Sequence, residues 1–116
     1  MIEQLPVVDF AAWVNAALPA QPLVLDVREP WEVQTASIAP DGFTLLNIPM
    51  QSIPARVEEL IALHGKDQRI ACLCHHGVRS QQVAHYLWQQ GFSHVVNLQG
   101  GIAAWAEQLD PAMATY

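Results

Sequence analysis

The sequence has little cysteine and little positive charge, and each shortage excludes a class of protein. Its 116 residues include two cysteines, Cys72 and Cys74, so a disulfide-rich secreted framework is excluded. Five lysine and arginine residues stand against eleven aspartate and glutamate residues, which gives a net charge of −6. The five cations are scattered along the chain rather than clustered. We therefore expect no binding to nucleic acid.

Long apolar runs and a basic leader are also lacking. No apolar stretch approaches the roughly 20 residues of a membrane-spanning helix, and no basic region precedes an apolar stretch near Met1. We therefore expect no membrane partner and no signal peptide, and the default expectation is a cytoplasmic location. Hydrophobic residues make up 52% of the chain and charged residues 14%. This composition favours one packed globular domain over residues 1–116.

Short apolar strands alternate with helical segments from Leu23 onward. Strands are predicted over residues 5–8, 23–27, 44–48, 69–74 and 95–98. Helices are predicted after Asp9 as N-cap, from Pro30 to about Thr35, from Pro54, over residues 81–90, and after Gly100-Gly101. Helical spacing places Leu18, Trp88, Trp105 and Leu109 on inward faces. The alternation predicts an α/β protein with a mainly parallel sheet, whose ligands bind beyond the carboxyl ends of the strands.

One loop carries the chemistry that the sequence suggests. Cys74-His75-His76-Gly77-Val78-Arg79-Ser80 lies between the fourth strand and a helix, where unbonded N–H groups and the helix dipole favour a negative charge on sulfur. Gly77 permits a backbone conformation that is closed to other residues. Arg79 adds a cation that can bond an oxyanion through two N–H groups, and His75 and His76 add donors. We predict that Cys74 is a nucleophile and that residues 75–79, His75, His76, Gly77, Val78 and Arg79, bind an anion.

Less specific interpretations exist for each of these residues. Cys74 alone could be a buried structural thiol, and Cys72 is expected to be a core residue. A zinc site is disfavoured because four ligands within five residues cannot easily close a tetrahedron, and we predict no metal and no cofactor. Arg79 could instead pair with an acid, and Ser80 could either contact an anion or cap the helix. Asp26 and Arg28 are expected to organise the end of the second strand by hydrogen bonds and charge pairing.

The chain resembles the rhodanese family of single-domain sulfurtransferases over roughly residues 20 to 108. The residues that carry the resemblance are Leu23-Val24-Leu25-Asp26-Val27-Arg28-Glu29-Pro30, the loop from Cys74 to Ser80, Gly91-Phe92, and Asn97-Leu98-Gln99-Gly100-Gly101-Ile102-Ala103-Ala104-Trp105. The resemblance implies a three-layer α/β/α fold with a mainly parallel five-stranded sheet flanked by helices. It also implies that Cys74 takes a sulfane sulfur from a small anionic donor such as thiosulfate and becomes a persulfide. The sulfur then passes to cyanide or to a thiol, with the N–H groups of residues 75–79 around the terminal sulfur.

Other functions remain open at this point. The chain could be a persulfide carrier between partner proteins, offering a protein thiol or persulfide with little turnover of small molecules. A phosphatase or arsenate reductase is disfavoured because related phosphatases of the cell-cycle type have a loop one residue longer than the six residues from Cys74 to Arg79. A catalytically inactive interaction domain is disfavoured because the cysteine and the arginine are both present. The Gly-His-Ile usual in the family is replaced by Ala36-Ser37-Ile38, so the surface that meets the acceptor is expected to differ.

Overall fold

Five parallel strands form one sheet with helices on both faces. A computed structural model describes all residues from 1 to 116. The strands are β1 (Glu3–Pro6), β2 (Leu23–Asp26), β3 (Thr44–Asn47), β4 (Arg69–Leu73) and β5 (His94–Gln99), in the spatial order β1-β5-β4-β2-β3. The helices are α1 (Phe10–Ala16), α2 (Pro30–Thr35), α3 (Ile53–His64), α4 (Val78–Gln89) and α5 (Gly101–Gln108). Short 3-10 turns precede α1 at Val7–Asp9 and α3 at Met50–Ser52. The predicted fold, a parallel five-stranded sheet flanked by helices, is confirmed.

The sheet is buried on both faces, and this explains why its strands are apolar without alternation. Leu25 and Cys72 pack into one hydrophobic cluster, with α3 and α4. Their neighbours Val24 and Leu73 pack into a second cluster on the opposite face, with α1. Successive strand residues point to opposite faces, so a strand between two helical layers needs apolar side chains at every position. Because β4 is the middle strand, the residue after it emerges at the centre of the sheet's carboxyl edge.

Several local predictions are shifted or wrong. β1 ends at Pro6 rather than at residue 8 because the chain turns into the 3-10 turn at Val7, and Asp9 makes no capping hydrogen bond with its side chain. α4 begins at Val78, three residues before the predicted start at residue 81. The first turn of α4 was not predicted, because residues 78–80 belong to the loop motif and show no apolar residues at helical spacing.

Three apolar residues that helical spacing placed inward are exposed. Trp88 is 51% exposed because the buried stripe of α4 runs through Leu87, and the next residue lies about 100° around the helix. Leu18 lies beyond the end of α1, and Leu109 lies beyond the end of α5, so neither extends the helical face that its spacing suggested. Trp105 is half-buried and packs edge-on against Phe10, with ring centroids 5.3 Å apart.

The helices are short. The longest, α3 and α4, have 12 residues each. No helix combines the length and the apolar character that crossing a bilayer requires.

Candidate active site

Cys74 lies directly after β4, at the edge of the sheet where all five strands end. Its sulfur accepts a hydrogen bond from the backbone N–H of Gly77 at 3.0 Å. Gly77 is also the residue that precedes the first turn of α4, so the sulfur lies at the positive end of that helix. Cys74 itself is only 1% exposed. The arrangement supplies a backbone donor to the sulfur, as the sequence predicted for this position.

Gly77 adopts a backbone conformation that other residues rarely reach. Its φ angle is +97°, and a Cβ added there would lie 3.1 Å from the backbone nitrogen of Gly100. The positive φ turns the chain from the loop into α4 and leaves the Gly77 N–H directed at the sulfur. The structure therefore shows the backbone conformation that the sequence predicted for Gly77.

Ser80 and Asn97 support the sulfur from the side of α4 and β5. The Ser80 hydroxyl oxygen lies 3.2 Å from Cys74 Sγ and donates to Asn97 Oδ1 at 2.5 Å. A hydroxyl has one proton to donate, so the Ser80 oxygen is left to accept from the thiol form of Cys74. Ser80 is the third residue of α4, and its hydroxyl makes no capping hydrogen bond at the start of that helix. The capping role, one of the two alternatives expected from the sequence, is therefore wrong. Asn97 was not predicted as a site residue, although it lies in the Asn97-to-Trp105 motif.

The amino end of α5 holds the start of the loop. The N–H groups of Ile102 and Ala103 donate to the carbonyl oxygens of Cys74 and His75, each at 3.0 Å. Gly101 has a φ of +59°, and a Cβ at this position would overlap the Cys74 carbonyl oxygen. The Gly100-Gly101 turn predicted from sequence therefore also provides a close backbone contact with the loop.

Arg79 is paired with Glu32 of α2, the alternative that the sequence offered beside anion binding. Its Nη1 and Nη2 donate to the two carboxylate oxygens of Glu32 at 2.7 and 2.8 Å. Glu32 also accepts from the Glu29 N–H at 3.1 Å and from the Tyr116 hydroxyl at 2.9 Å. These donors, Arg79 foremost, lower the pKa of Glu32 to about 2, and the pair raises the pKa of Arg79. The alternative from sequence, pairing with an acid, is what the side chain does.

A second ion pair fixes the end of β2. Arg28 is fully buried and donates to the carboxylate of Asp26 through Nε at 3.0 Å and through Nη2 at 2.7 Å. It also donates to the Tyr116 hydroxyl at 2.9 Å and to the Ala36 carbonyl at 2.8 Å. Burial acts against the charged form, but the bonds to Asp26 and Tyr116 outweigh it and raise the pKa of Arg28. Asp26 and Arg28 thus organise the strand end, as expected, and the bond to Ala36 draws the Ala36-Ser37-Ile38 segment against the site.

Tyr116 lies over the loop, and nothing in the sequence pattern pointed to it. Its ring stacks on His75 with centroids 3.8 Å apart, and His75 stacks on His76 at 3.9 Å. Burial in this stack, followed by the neighbouring His76, lowers the pKa of His75 below 6.5. The two histidines and Tyr116 border a cavity of about 420 Å³, which is closed on its other side by α5 and by residues 111–115. Of the residues predicted to bind substrate, His75 and His76 therefore form part of the wall of a cavity beside the loop, whereas Gly77, Val78 and Arg79 do not line it.

Cys72 has a different environment from Cys74. It is fully buried within β4, and this burial, with the nearby Cys74 as a smaller cause, raises the pKa of its thiol far above the usual range. Neither cysteine is in a disulfide. Cys72 is a core residue, as the sequence suggested.

Known proteins resemble this chain in sequence and in fold. The family described as the rhodanese-like domain matches residues 10–108. A sulfurtransferase of Allochromatium vinosum is 41% identical over 92 residues, which cover 79% of this chain and 78% of that protein. The adenylyltransferase and sulfurtransferase MOCS3-2 of Zea mays is 32% identical over 94 residues, which cover 81% of this chain but 19% of that longer protein. Among solved structures, a rhodanese-like domain protein from Staphylococcus aureus superposes with a TM-score of 0.71 at 26% identity, covering 99% of both chains.

Proposed function

This chain belongs to the rhodanese family, and we propose that it is a sulfurtransferase that carries a sulfane sulfur as a persulfide on Cys74. The observation that supports this most directly is the position of the Cys74 sulfur. It lies at the positive end of α4, 3.0 Å from the Gly77 N–H, in a loop whose backbone is held by α5. Backbone donors at a helix amino end stabilise a negative charge on sulfur before and after the transfer.

The proposed reaction has two steps. The Cys74 thiolate attacks the sulfane sulfur of a donor such as thiosulfate, a new S–S bond forms on Cys74, and sulfite leaves with the electron pair of the broken bond. An acceptor such as cyanide or a thiol then attacks the outer sulfur, and the Cys74 thiolate leaves with the electron pair. No external oxidant or reductant is consumed. The N–H groups of residues 75–79 are proposed to surround the outer sulfur of the intermediate.

The supporting residues act on the loop rather than on the sulfur donor. Ser80 contacts the Cys74 sulfur and ties it through Asn97 to β5. Asp26 and Arg28 fix the end of β2, next to the loop that follows β4. Together these residues hold the backbone donors in place, so that little reorganisation is needed when the charge on sulfur changes.

The test is thiosulfate:cyanide sulfur transfer, followed by formation of thiocyanate. The native protein should form thiocyanate and should gain the mass of one sulfur atom on exposure to thiosulfate alone. Cys74→Ser should do neither. Cys72→Ser is the matched control, because it removes the other cysteine and should leave both signals in place. A native protein that gains no sulfur from any sulfane donor would contradict the proposal.

A second candidate function is that of a carrier that passes sulfur between partner proteins. A region like this chain makes up 19% of the Zea mays adenylyltransferase and sulfurtransferase MOCS3-2, and such a place beside another activity in one protein favours a carrier. The same experiment separates the two functions. Sulfur loading of Cys74 with negligible thiocyanate formation would favour the carrier, and rapid thiocyanate formation would favour the small-molecule enzyme.

A further inference from the structure

No lysine or arginine near the loop has an unbalanced charge. Of the five cationic side chains, Arg79 is paired with Glu32 and Arg28 with Asp26. Arg56 pairs with Glu59 on α3. The other two, Lys66 and Arg69, lie at the amino end of β4, about 17 Å of strand away from Cys74. The carboxyl edge of the sheet, where the sulfur lies, therefore has no net positive side-chain charge.

Four hydrogen bonds hold the Glu32 carboxylate that pairs with Arg79. Glu32 receives two hydrogen bonds from Arg79, one from the Glu29 N–H and one from the Tyr116 hydroxyl, and its side chain is 5% exposed. Arg79 would have to break two charge-assisted hydrogen bonds to leave Glu32 and carry an unbalanced charge to an incoming anion. The carboxylate would then be left buried beside the site, which is unfavourable. Arg79 thus remains with Glu32.

The surroundings add negative charge rather than positive charge. Glu29 lies at the start of α2 beside the ion pair, and Glu107 borders the cavity formed by His75 and His76. The whole chain has a net charge of −6. A doubly charged donor is therefore repelled at long range and meets no unpaired lysine or arginine at the loop.

We infer that the Glu32–Arg79 pair sets the donor class of the site, which accepts singly charged or neutral organic persulfides in preference to dianions such as thiosulfate. The inference rests on the proposed function. In the step, the Cys74 thiolate attacks the terminal sulfur of R–S–SH, the bond between Cys74 and that sulfur forms, and R–S⁻ leaves with the electron pair. The charge is −1 before and after, and no co-reactant is needed. Thiosulfate would instead bring two negative charges to the same loop, where both arginines are already paired with carboxylates.

The test compares donors that differ in charge. Sulfur loading of Cys74 is measured by mass with thiosulfate, which has two negative charges, and with methanethiosulfonate and 2-hydroxyethyl persulfide, which have at most one. The native protein should load at least about tenfold more efficiently from the singly charged donors, measured as kcat/KM. Glu32→Gln should leave Arg79 with an unbalanced charge. The ratio of thiosulfate to methanethiosulfonate efficiency should then rise about tenfold, chiefly through a lower KM for thiosulfate.

Glu58→Gln is the matched control, because it removes one negative charge at an exposed position of another helix, α3. Its donor ratio should stay near that of the native protein. Tyr116→Phe is the second variant in case Glu32→Gln does not fold, since it removes one hydrogen bond to Glu32 and keeps the aromatic ring. It should shift the donor ratio in the same direction by a smaller factor.

The outcomes separate the two proposals. If no donor adds sulfur to Cys74 of the native protein, the proposed function is wrong. If Cys74 is loaded but the donor ratio is the same in the native protein and in every folded variant at Glu32 and Tyr116, only the inference about donor class is overturned. An equal rise in the ratio for Glu58→Gln would also overturn it, because the effect would then come from net charge and not from the pair.

Discussion

Ser80 donates a hydrogen bond to Asn97 across the boundary between α4 and β5, with 2.5 Å between the hydroxyl oxygen and Oδ1. The Asn97 amide in turn donates to the Gly77 carbonyl at 3.1 Å and to the Gln4 side chain of β1 at 2.8 Å. One side chain therefore joins the reactive loop to two strands. Since Gly77 supplies the N–H that contacts the Cys74 sulfur, the position of that donor depends on Asn97.

Replacing Asn97 should loosen the loop. Asn97→Ala leaves the Ser80 hydroxyl and the Gly77 carbonyl without their partner in a buried site, so we expect the free energy of unfolding to fall by about 1–3 kcal/mol. Sulfur loading of Cys74 should become slower as well. Urea unfolding and the rate of mass gain check the two effects. Asn15→Ala, at an exposed position of α1, should change the stability by no more than about 0.5 kcal/mol. A native loading rate in Asn97→Ala would show that the loop does not need this support.

Gly101 and Gly65 form a matched pair for testing the contact between α5 and the loop. Both have positive φ angles, +59° and +79°, so an alanine at either position should cost about 1–3 kcal/mol of backbone strain. Only at Gly101 would the new Cβ overlap the Cys74 carbonyl, whereas Gly65 has no neighbour within 4 Å of that position. Gly101→Ala should therefore abolish sulfur transfer and Gly65→Ala should retain it. Equal activity of the two folded variants would contradict the close contact.

The buried ion pair should be far more important for stability than the exposed one. Arg28→Ala leaves Asp26 charged and 1% exposed, so we expect a loss of about 3–5 kcal/mol in the free energy of unfolding. Arg56→Ala breaks a pair that is about half exposed on α3, and its cost should stay below about 1 kcal/mol. Urea unfolding of both variants under the same conditions provides the comparison. Similar losses for the two arginines would be inconsistent with the burial of Arg28.

The Glu32–Arg79 pair should also appear in the pH dependence of stability. The pKa of Glu32, about 2, lies below the 4.5 of an unpaired glutamate, so the ionised group stabilises the fold fully above about pH 4.5. That stabilisation is lost as the pH falls through 4.5 towards 2. Glu32→Gln has no such group, so its unfolding free energy should fall less steeply over this range than that of the native protein. Equal slopes between pH 2 and 5 would mean that Glu32 is not held by Arg79 in solution.

Local patterns predicted much of the fold and the centre of the site. The apolar run at residues 23–27 became a strand buried on both faces, and Pro30 began α2 at the predicted residue. Cys74 and Gly77 were predicted because their roles depend on backbone geometry at a strand end and a helix start, which nearby residues determine. Such features follow from short stretches of sequence.

The partners of the loop could not be predicted in the same way. Arg79 meets Glu32 across 47 residues, and no spacing rule brings α2 and α4 together at these two side chains. Tyr116 follows the last helix in a stretch without periodicity, yet it contacts Glu32, Arg28 and His75. Trp88 has a spacing that is suitable for burial, but in α4 the side chain packed against the sheet is that of the preceding residue, Leu87. These contacts depend on how distant segments pack, which the chain's local pattern does not encode.

The rings over the loop form a continuous column. Trp31 of α2 meets Tyr116 edge-on at 5.8 Å, Tyr116 lies flat on His75, and His75 lies flat on His76. Three separate parts of the chain contribute to it: α2, the reactive loop and the segment after α5. Lifting Tyr116 would therefore uncover His75 and Trp31 and would also withdraw a hydrogen bond from Glu32. Tyr116 thus joins α2 to the loop that carries the sulfur, through its ring and its hydroxyl together.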